Sequence, residues 1–307
     1  MTARHISVIG GGLAGCAAAL AAQARGAQVT LYEQRPSTSV PTHETPLPGE
    51  LAGTADLGME DTDRATGLLK AELRIACPAI IECAEEARIG ERTLAVDRRG
   101  FAQALAARVE QAAGVEFKRE QARALPDGPV VIATGPGTWS PLARAIHRDA
   151  DAGFRFSFIG RPPLVAARSI DLSEARWEPP YPGAEPALFL PLTEHEAQDL
   201  AERLASAERE EPPGFDPGKV LADDSSTAER LAADPDSGLR RILSGPRGPE
   251  AEIEGPALCL TPDDANGNAL HVEGLLTSLA PEEQREALRA AGALSGLAMG
   301  LKYTAFL

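Results

Sequence analysis

The stretch at residues 5–35, HISVIGGGLAGCAAALAAQARGAQVTLYEQR, constrains the fold more than any other part of this chain. A short apolar strand precedes the pattern G-x-G-x-x-G at Gly10, Gly12 and Gly15, and an alanine-rich helix then runs to Gly26. In this arrangement the first glycine makes a tight turn, the second lets the backbone approach a pyrophosphate, and the third lets the helix pack closely on the strand. The pattern predicts a fold that holds a dinucleotide at the positive N-terminus of the helix.

A carboxylate stands at the end of the second predicted strand, QVTLYE. Glu33 lies 18 residues after Gly15, close to the spacing of about 20 residues at which an acid accepts hydrogen bonds from a ribose 2′-hydroxyl. Such an acid disfavours the 2′-phosphate of NADP. A lone G-x-G-x-x-G is compatible with a glycine turn in any α/β protein, but the full order of strand, glycines, helix, strand and acid favours a dinucleotide site. Cys16 at the helix start is interpreted as a small packing residue rather than a reactive thiol.

Composition excludes several classes of function. The 307 residues suffice for one large domain or two interleaved ones, and the formal net charge of −15 gives no general attraction to nucleic acid or anionic membrane. The four cysteines contain no CxxC pair, and the five histidines have no metal-ligand spacing, so we predict no metal site and no disulfide framework. We expect each histidine to lie at the surface or in a cap. This cysteine usage leads us to expect a cytoplasmic protein. No apolar run reaches about 18 residues, so we expect no membrane span. The apolar N-terminus could imitate a secretory signal, but the glycine pattern is the more demanding match.

The middle of the first half is predicted to be mainly helical. After a proline-rich surface loop, residues 61–87 have a helical pattern, and an amphipathic helix that Gly114 closes comes next. Arg98 and Arg99 either bind a phosphate or the glutamate tail of folate or, as the simpler reading, form a solvated helix start. The apolar face of the first of these helices is predicted to comprise Leu68, Leu69, Leu73 and Ile75, with Cys77 and Cys83 as core residues.

The segment GPVVIATGP predicts a central strand that returns to the nucleotide. Its apolar run ends in Ala133-Thr134-Gly135, a short string that also recurs in flavoproteins where the chain passes the cofactor. From residue 151 the pattern changes to separate strands and a helix with the capping box Thr193-x-x-Glu196. Residues 210–256 are acidic and rich in Pro and Gly, which is typical of a mobile loop. A hairpin around Asn266-Gly267 and a closing helix over 282–291 complete the pattern.

We therefore predict a Rossmann-like α/β domain for FAD or NAD with an inserted, smaller α+β domain. The dinucleotide-binding domain comprises residues 1–150 and 256–307, and the inserted domain comprises residues 151–255.

The chain resembles the folate- and FAD-dependent tRNA (uracil-5-)-methyltransferases. The similar strings are VIGGGLAG, LYEQRP, GLLKAELR, LAVDRRGF, GPVVIATGP, PLTEHEAQDL and DDANGNALHVEGLLTSL, in the family's order and over nearly the whole chain. The resemblance implies that FAD carries a one-carbon unit from a tetrahydrofolate derivative to C5 of a uridine in tRNA, with a cysteine thiolate activating the uracil. It also implies a set of cofactor-binding residues, namely Gly10, Gly12, Leu13, Ala14, Gly15, Glu33, Gln34, Arg35, Ala133, Thr134 and Gly135.

The chain departs from this family where the catalytic cysteines are expected. Gly53, in GTADLG, takes the place of the family's cysteine, and Gly58 takes the place of an arginine. No cysteine between Cys83 and Cys259 matches the family's second cysteine. The family's further C-terminal segment, which contacts the flavin, has no counterpart in these residues. We therefore assign no catalytic residue and expect that tRNA methylation is lost or altered.

Three functions stay open. The first is a reduced enzyme of this family that binds FAD and a folate. The second is a non-catalytic paralogue that binds folate, a nucleotide or an unidentified protein partner. The third is an FAD- or NAD-dependent oxidoreductase of a small molecule, which would share the first strand and helix but not the later strings. A tRNA partner is disfavoured by the negative charge.

Overall fold

The computed structural model describes residues 4–38, 45–52, 54–135, 138, 140–150, 163–208, 228, 232, 243, 255–275, 277 and 279–297. Several sequence predictions lie outside these residues: the strand FRFSFIG, most of the acidic segment 210–256, His43 and Gly53. In the part of the chain that is described, every helix is too short or too polar to cross a lipid bilayer.

A parallel sheet carries the N-terminal motif. Its strands are β1 (His5–Ile9), β2 (Gln28–Tyr32), β5 (Val115–Lys118) and β6 (Val130–Ile132), in the order β5-β2-β1-β6. Helix α1 (Leu13–Ala24) connects the first two strands, which pair in parallel register. The predicted Rossmann-like α/β fold is confirmed.

Small side chains let α1 lie close to the sheet. Its buried residues are Gly15, Cys16, Ala19 and Leu20, which share one helix face. The helix ends at Ala24 with Arg25 as its C-cap, and the predicted stop, Gly26, follows with a φ of +83°, the left-handed conformation that glycine adopts most readily.

Three further helices and a small two-stranded sheet complete the first core. The helices are α2 (Ala65–Ala76), α3 (Pro78–Glu86) and α4 (Arg98–Glu110), and β3 (Asp56–Met59) pairs antiparallel with β4 (Thr93–Ala95). Residues from every layer meet in one apolar cluster, which includes Val8, Leu31, Ile80, Phe101 and Leu105. Cys77 and Cys83 belong to this cluster, so their predicted core role is confirmed.

The predicted apolar face of α2 is wrong at three of its four residues, because only Leu73 packs against the core. Leu68, Leu69 and Ile75 are 50%, 56% and 84% exposed, and the buried residues of the helix are Gly67 and Lys70. A Cβ on Gly67 would lie 2.0 Å from the carbonyl oxygen of Asp61, so this face approaches the preceding turn more closely than a leucine would allow. Lys70 extends its stem under the helix, and its Nζ donates a hydrogen bond to the carbonyl oxygen of Leu57 at 2.5 Å.

The predicted central strand lies at the edge of the described sheet. β6 pairs with β1, and Val131 and Ile132 are each 38% exposed. Helix α5 (Ser140–Ala150) covers only one face of this strand, where Leu142 and Ile146 pack with Ile9 and with the partly buried Val130. A short apolar run in the sequence does not by itself reveal whether both faces of the strand are buried.

A second sheet is antiparallel and has its own core. Its strands are β7 (Leu164–Ala166), β8 (Arg176–Glu178), β9 (Ala187–Pro191), β10 (Ala257–Pro262) and β11 (Ala269–Val272), in the order β7-β11-β10-β9-β8. Helices α6 (Glu194–Ser206) and α7 (Pro281–Leu288) pack against each other beside it. The predicted capping box is present, because Thr193 Oγ1 accepts from the Glu196 amide at 3.2 Å and Glu196 accepts from the Thr193 amide at 2.7 Å.

The C-terminal strands belong to this second sheet. β10 and β11 form the expected hairpin around Asn266-Gly267, and Leu258 and Leu260 of β10 share a core with Leu188 and Leu190 of β9. This placement differs from the predicted division of the chain, which grouped residues 256–307 with the dinucleotide fold. β10 pairs with β9, and its apolar face packs into the core of the second sheet. Helix α7 ends at Leu288, before the predicted Ala291.

Candidate functional site

A cavity of about 260 Å³ opens at the carboxyl ends of β1, β2 and β6. Ligands of parallel α/β sheets bind at this edge. Nine of the eleven residues predicted to contact a cofactor line the cavity, namely Gly10, Gly12, Leu13, Ala14, Glu33, Gln34, Ala133, Thr134 and Gly135. Gly15 and Arg35 lie behind its wall.

Three glycines of the loop are required by the packing of the chain itself. Gly10 has a φ of +104°, and a Cβ there would lie 2.4 Å from the carbonyl oxygen of Ala133. A Cβ on Gly11 would lie 2.6 Å from Glu33 Oε2, and one on Gly15 would lie 1.7 Å from the carbonyl oxygen of Gly10. Gly10 therefore allows the tight turn, Gly11 allows the close approach of the Glu33 carboxylate, and Gly15 allows the helix to pack against the end of the strand.

Gly12 is different, because no described residue requires it to be glycine. A Cβ at this position would meet nothing within 4 Å, and its φ of −71° and ψ of −177° are extended backbone that any residue adopts. Gly12 lines the cavity, so the space that its absent side chain leaves belongs to the cavity. This is the position at which a backbone can approach a pyrophosphate.

The N-terminus of α1 supplies donors to this space. Gly12 is the N-cap, no side chain caps it, and the first turn contains no acid. The first backbone N–H groups of an α-helix have no intrahelical acceptor and sit at the positive end of the helix dipole. Leu13 and Ala14 in this turn line the cavity. The arrangement suits an anion bound through backbone amides.

Glu33 is buried, and the chain itself supplies hydrogen bonds to both of its carboxylate oxygens. Oε1 accepts from the backbone N and Nε of Arg35, each at 2.9 Å, and Oε2 accepts from Arg35 Nη2 at 2.9 Å and from the Gly11 amide at 3.0 Å. The carboxylate thus fixes the glycine loop relative to the end of β2. A ribose hydroxyl would share these oxygens with donors of the protein.

Arg35 joins Glu33 to a second buried acid. Its Nη1 donates to Glu50 Oε2 at 3.1 Å, and Glu33, Arg35 and Glu50 are only 4%, 1% and 3% exposed. Glu50 also accepts from the backbone N and the hydroxyl of Thr45 at 3.1 and 3.0 Å. Arg35 therefore holds the segment 45–52 against the cavity and does not itself line it.

Sequence analysis missed several residues that line the cavity. Glu50 and Leu51 come from the proline-rich loop and the segment that follows it, Glu120 and Gln121 follow β5, and Thr138 lies beyond the predicted string at Gly135. The sequence did indicate Glu120 and Gln121 indirectly: they follow the predicted strand β5, and adjacent parallel strands end at the same edge of a sheet.

The cysteines are not placed as nucleophiles. All four are buried. Burial, with the neighbouring charge of Glu33, raises the pKa of Cys16 to about 12, and its Sγ donates to the carbonyl oxygen of Gly11 at 3.4 Å. Burial also raises the pKa of Cys77 and Cys83. The thiols of Cys16, Cys77 and Cys83 are therefore protonated at neutral pH, and the packing role predicted for Cys16 is confirmed.

Arg98 is neither a phosphate ligand of the cavity nor a solvated helix start. It is buried, its Nε donates to Asp263 Oδ1 at 2.6 Å, and it also contacts the carbonyl oxygen of Leu51 and Nε2 of His271. His271, expected at the surface, is buried too, and its Nε2 lies 2.7 Å from the same Asp263 oxygen. The cluster joins α4 of the first core to the β10–β11 hairpin, a long-range pairing that sequence spacing does not reveal. Arg99 is exposed.

His271 and Arg98 stabilise the ionised form of Asp263. Burial alone would raise the pKa of Asp263, but the hydrogen bond with His271 and the charge of Arg98 outweigh burial and hold that pKa below its ordinary value. Among the described residues, no group of three or more His, Cys, Asp or Glu side chains could hold a metal ion.

Comparisons with known proteins identify relatives over nearly the whole chain. A family described as "Glucose inhibited division protein A" matches residues 5–300. The methylenetetrahydrofolate–tRNA-(uracil-5-)-methyltransferase TrmFO of Moorella thermoacetica is 35% identical over 295 residues, which cover 92% of this chain and 66% of that protein. The TrmFO of Bacillus subtilis is 32% identical over 298 residues, covering 94% of this chain and 68% of that protein.

Solved structures of Aquifex aeolicus GidA have a similar fold. The form II crystal structure matches with a TM-score of 0.60 at 16% identity and covers 96% of this chain and 54% of that chain. At this identity the likeness shows the fold alone. The chain thus spans about two thirds of the length of these curated relatives and about half of the GidA chain.

Proposed function

Because the chain belongs to the glucose inhibited division protein A family and is TrmFO-like, we propose that it binds FAD through the cavity at the N-terminus of α1. The observation that carries this proposal is Gly12, whose missing side chain leaves open space that nothing in the described protein fills or requires. The fold keeps a glycine here at no benefit to its own packing. An occupant of the cavity accounts for it.

The residues present fit a dinucleotide. Backbone amides of Gly12, Leu13 and Ala14 would hold the pyrophosphate, and Glu33 would face the ribose. Sites that bury a whole drug-sized ligand have volumes of about 300–1,000 Å³. The 260 Å³ cavity therefore encloses part of the dinucleotide and leaves the remainder at its mouth. When bound, FAD would supply redox chemistry.

The charges of the cavity favour a dinucleotide without a 2′-phosphate. Its wall includes the acids Glu33, Glu50 and Glu120, and neither lysine nor arginine occurs among the residues that line it. A 2′-phosphate would face these carboxylates without a counter-ion, because Arg35 is already committed to Glu33 and Glu50. We therefore expect FAD or NAD to bind more tightly than NADP.

The names of the relatives describe methylation of a uracil in tRNA, and the resemblance implies a cysteine thiolate for that reaction; we further propose that this chain does not carry it out. Activation of a uracil at C6 needs a thiolate, and all four thiols of the chain are buried, with that of Cys16 strongly disfavoured as an anion. The net charge of −15 adds no attraction to tRNA. A tetrahydrofolate derivative is proposed as a second small-molecule ligand by similarity to the methyltransferases. The second candidate is a binding protein that holds the nucleotide or folate without catalysis.

Ligand titration of wild-type protein and a Gly12→Ala variant tests the proposal. We expect FAD to raise the melting temperature of the wild-type protein and the alanine variant to bind at least about tenfold more weakly, a loss of about 1.4 kcal/mol. Gly296→Ala is the matched control, because a Cβ there also has room, with its nearest neighbour at 3.8 Å, and lies outside the cavity.

Two results would contradict the proposal. One is a melting temperature that FAD, NAD and NADP all leave unchanged, and the other is equal FAD affinity in the wild-type protein and Gly12→Ala. Purified protein without flavin absorbance that is stabilised by tetrahydrofolate would favour the second candidate.

A further inference from the structure

The ends of β2 and β5 bring two amide side chains together at one end of the cavity. The strands are adjacent and parallel, and the Glu33 amide donates to the carbonyl oxygen of Lys118 at 2.8 Å, which continues the pairing beyond β2. Gln34 and Gln121, which follow these strands, both line the cavity and are partly buried. Gln121 Nε2 donates to Gln34 Oε1 at 3.3 Å.

This contact leaves one polar atom of each amide without a partner among the described residues. A glutamine amide has an NH₂ group that donates and an oxygen that accepts. With Gln121 Nε2 joined to Gln34 Oε1, the remaining polar atoms are Gln34 Nε2 and Gln121 Oε1. Neither forms a hydrogen bond with another residue in the part of the chain that the structure describes. The pair thus presents complementary polar atoms beside a cavity.

The surroundings suit a flat, nitrogen-rich ring. Tyr32 and Ala122 line the cavity next to the amides and pack with Leu142 and Ile146 in one cluster, so they provide apolar surface. Glu120 lines the same end, and its carboxylate can only accept hydrogen bonds when ionised. An exocyclic amino group satisfies such an acid, whereas a carbonyl oxygen at the same ring position would be repelled.

We propose that Gln34 and Gln121, with Glu120, recognise the adenine base of the ligand. This inference rests on the proposed function, because the pyrophosphate at α1 and the ribose beside Glu33 direct the base toward Gln34. Adenine carries an amino donor next to ring-nitrogen acceptors, which matches an amide acceptor and an amide donor. Hypoxanthine, in which an oxygen replaces that amino group, reverses the pattern and faces Glu120 with a carbonyl.

The experiment compares the affinity of the protein for ADP and for IDP, which differ in this one ring substituent. We expect the wild-type protein to bind ADP about tenfold more tightly than IDP, because a polar contact that is left unmade lowers affinity by about that factor. In Gln34→Met and Gln121→Met the preference should fall below about threefold, since the side-chain length is kept and the amide is removed. Gln198→Met is the matched control, because Gln198 also donates to a neighbouring side chain, Glu202, at 3.0 Å but lies on α6, outside the cavity.

The ratio of the two affinities separates base recognition from a general loss of structure, which would weaken both ligands alike. Equal binding of ADP and IDP by wild-type protein that binds FAD would overturn this inference and leave the proposed function standing. A ratio unchanged in both methionine variants would also overturn it. Wild-type protein that binds neither FAD nor ADP would overturn both proposals.

Discussion

At the scale of single residues, the four glycines of the first loop have separable roles. Gly10, Gly11 and Gly15 are each opposed by atoms of the chain at less than 3 Å from an added Cβ, whereas Gly12 is opposed by none. The same tetrad therefore contains residues that the fold requires and one that only a ligand would require.

This separation predicts that two alanine substitutions differ strongly in their effect on stability. Gly15→Ala places a Cβ 1.7 Å from a backbone oxygen, which no rotamer change relieves, and we expect it to lower the free energy of unfolding by about 3 kcal/mol or more. Gly12→Ala should change that free energy by less than about 0.5 kcal/mol. Urea unfolding of both variants without ligand measures the difference, and similar losses in the two variants would contradict this account of the loop.

At the scale of secondary structure, α2 shows that an apolar pattern does not determine which helix face is buried. Leu68, Leu69 and Ile75 are exposed, whereas Gly67 packs on the turn at Asp61 and Lys70 reaches the carbonyl oxygen of Leu57 in β3. The helix is held through Lys70 and through the ion pairs of Arg74 with Glu60 and Glu85.

Polar substitution of the outer face of α2 should therefore be tolerated. We expect Leu69→Gln and Ile75→Gln to change the free energy of unfolding by less than about 0.5 kcal/mol, because these side chains remain in water in both states. Leu105→Ala, which removes a fully buried side chain of α4, should cost about 2–5 kcal/mol and serves as the contrast. Chemical denaturation of the three variants tests this, and a loss in Ile75→Gln as large as in Leu105→Ala would show that α2 is buried in the folded protein.

Features that depend on residues close together in the sequence were predicted, and features that depend on distant residues were not. The glycine turn, α1, β2 and the capping box at Thr193 depend on neighbours within a few residues, and these were predicted. The burial of Arg98 depends on Asp263, far along the chain, and that of Arg35 depends on Glu50 across a loop. Both arginines look like solvent-exposed or ligand-binding charges until the fold supplies their partners. Glu50, Glu120 and Gln121 reach the cavity through the same kind of long-range packing, so the sequence did not predict them as lining residues. The lining residues that directly follow β1, β2 and β6 were predicted.

At the scale of the whole molecule, buried charges connect the two cores. Arg98 belongs to the first core and contacts Leu51 beside the cavity, and Asp263 and His271 belong to the hairpin of the second sheet. Breaking a buried ion pair from one side leaves an uncompensated charge, which typically costs about 3–5 kcal/mol.

Asp263→Asn should consequently destabilise the protein in a pH-dependent manner. The pKa of Asp263 is lowered in the folded chain, so its contribution is complete above about pH 4, its value in an unfolded chain, and is lost as the pH falls through the lowered folded value. We expect wild-type protein to exceed the variant by about 3 kcal/mol at pH 7 and by progressively less below about pH 4. Urea unfolding across this range measures the gap, and a gap that stays constant down to the lowest pH would refute the role assigned to this carboxylate.

The open space beside Gly12 also bears on how chains of this shape can diverge. No described residue opposes a side chain at that position, so a mutation there would narrow the cavity and leave the packing of the described chain unchanged. A larger residue in place of Gly12 would therefore evict an occupant without unfolding its host.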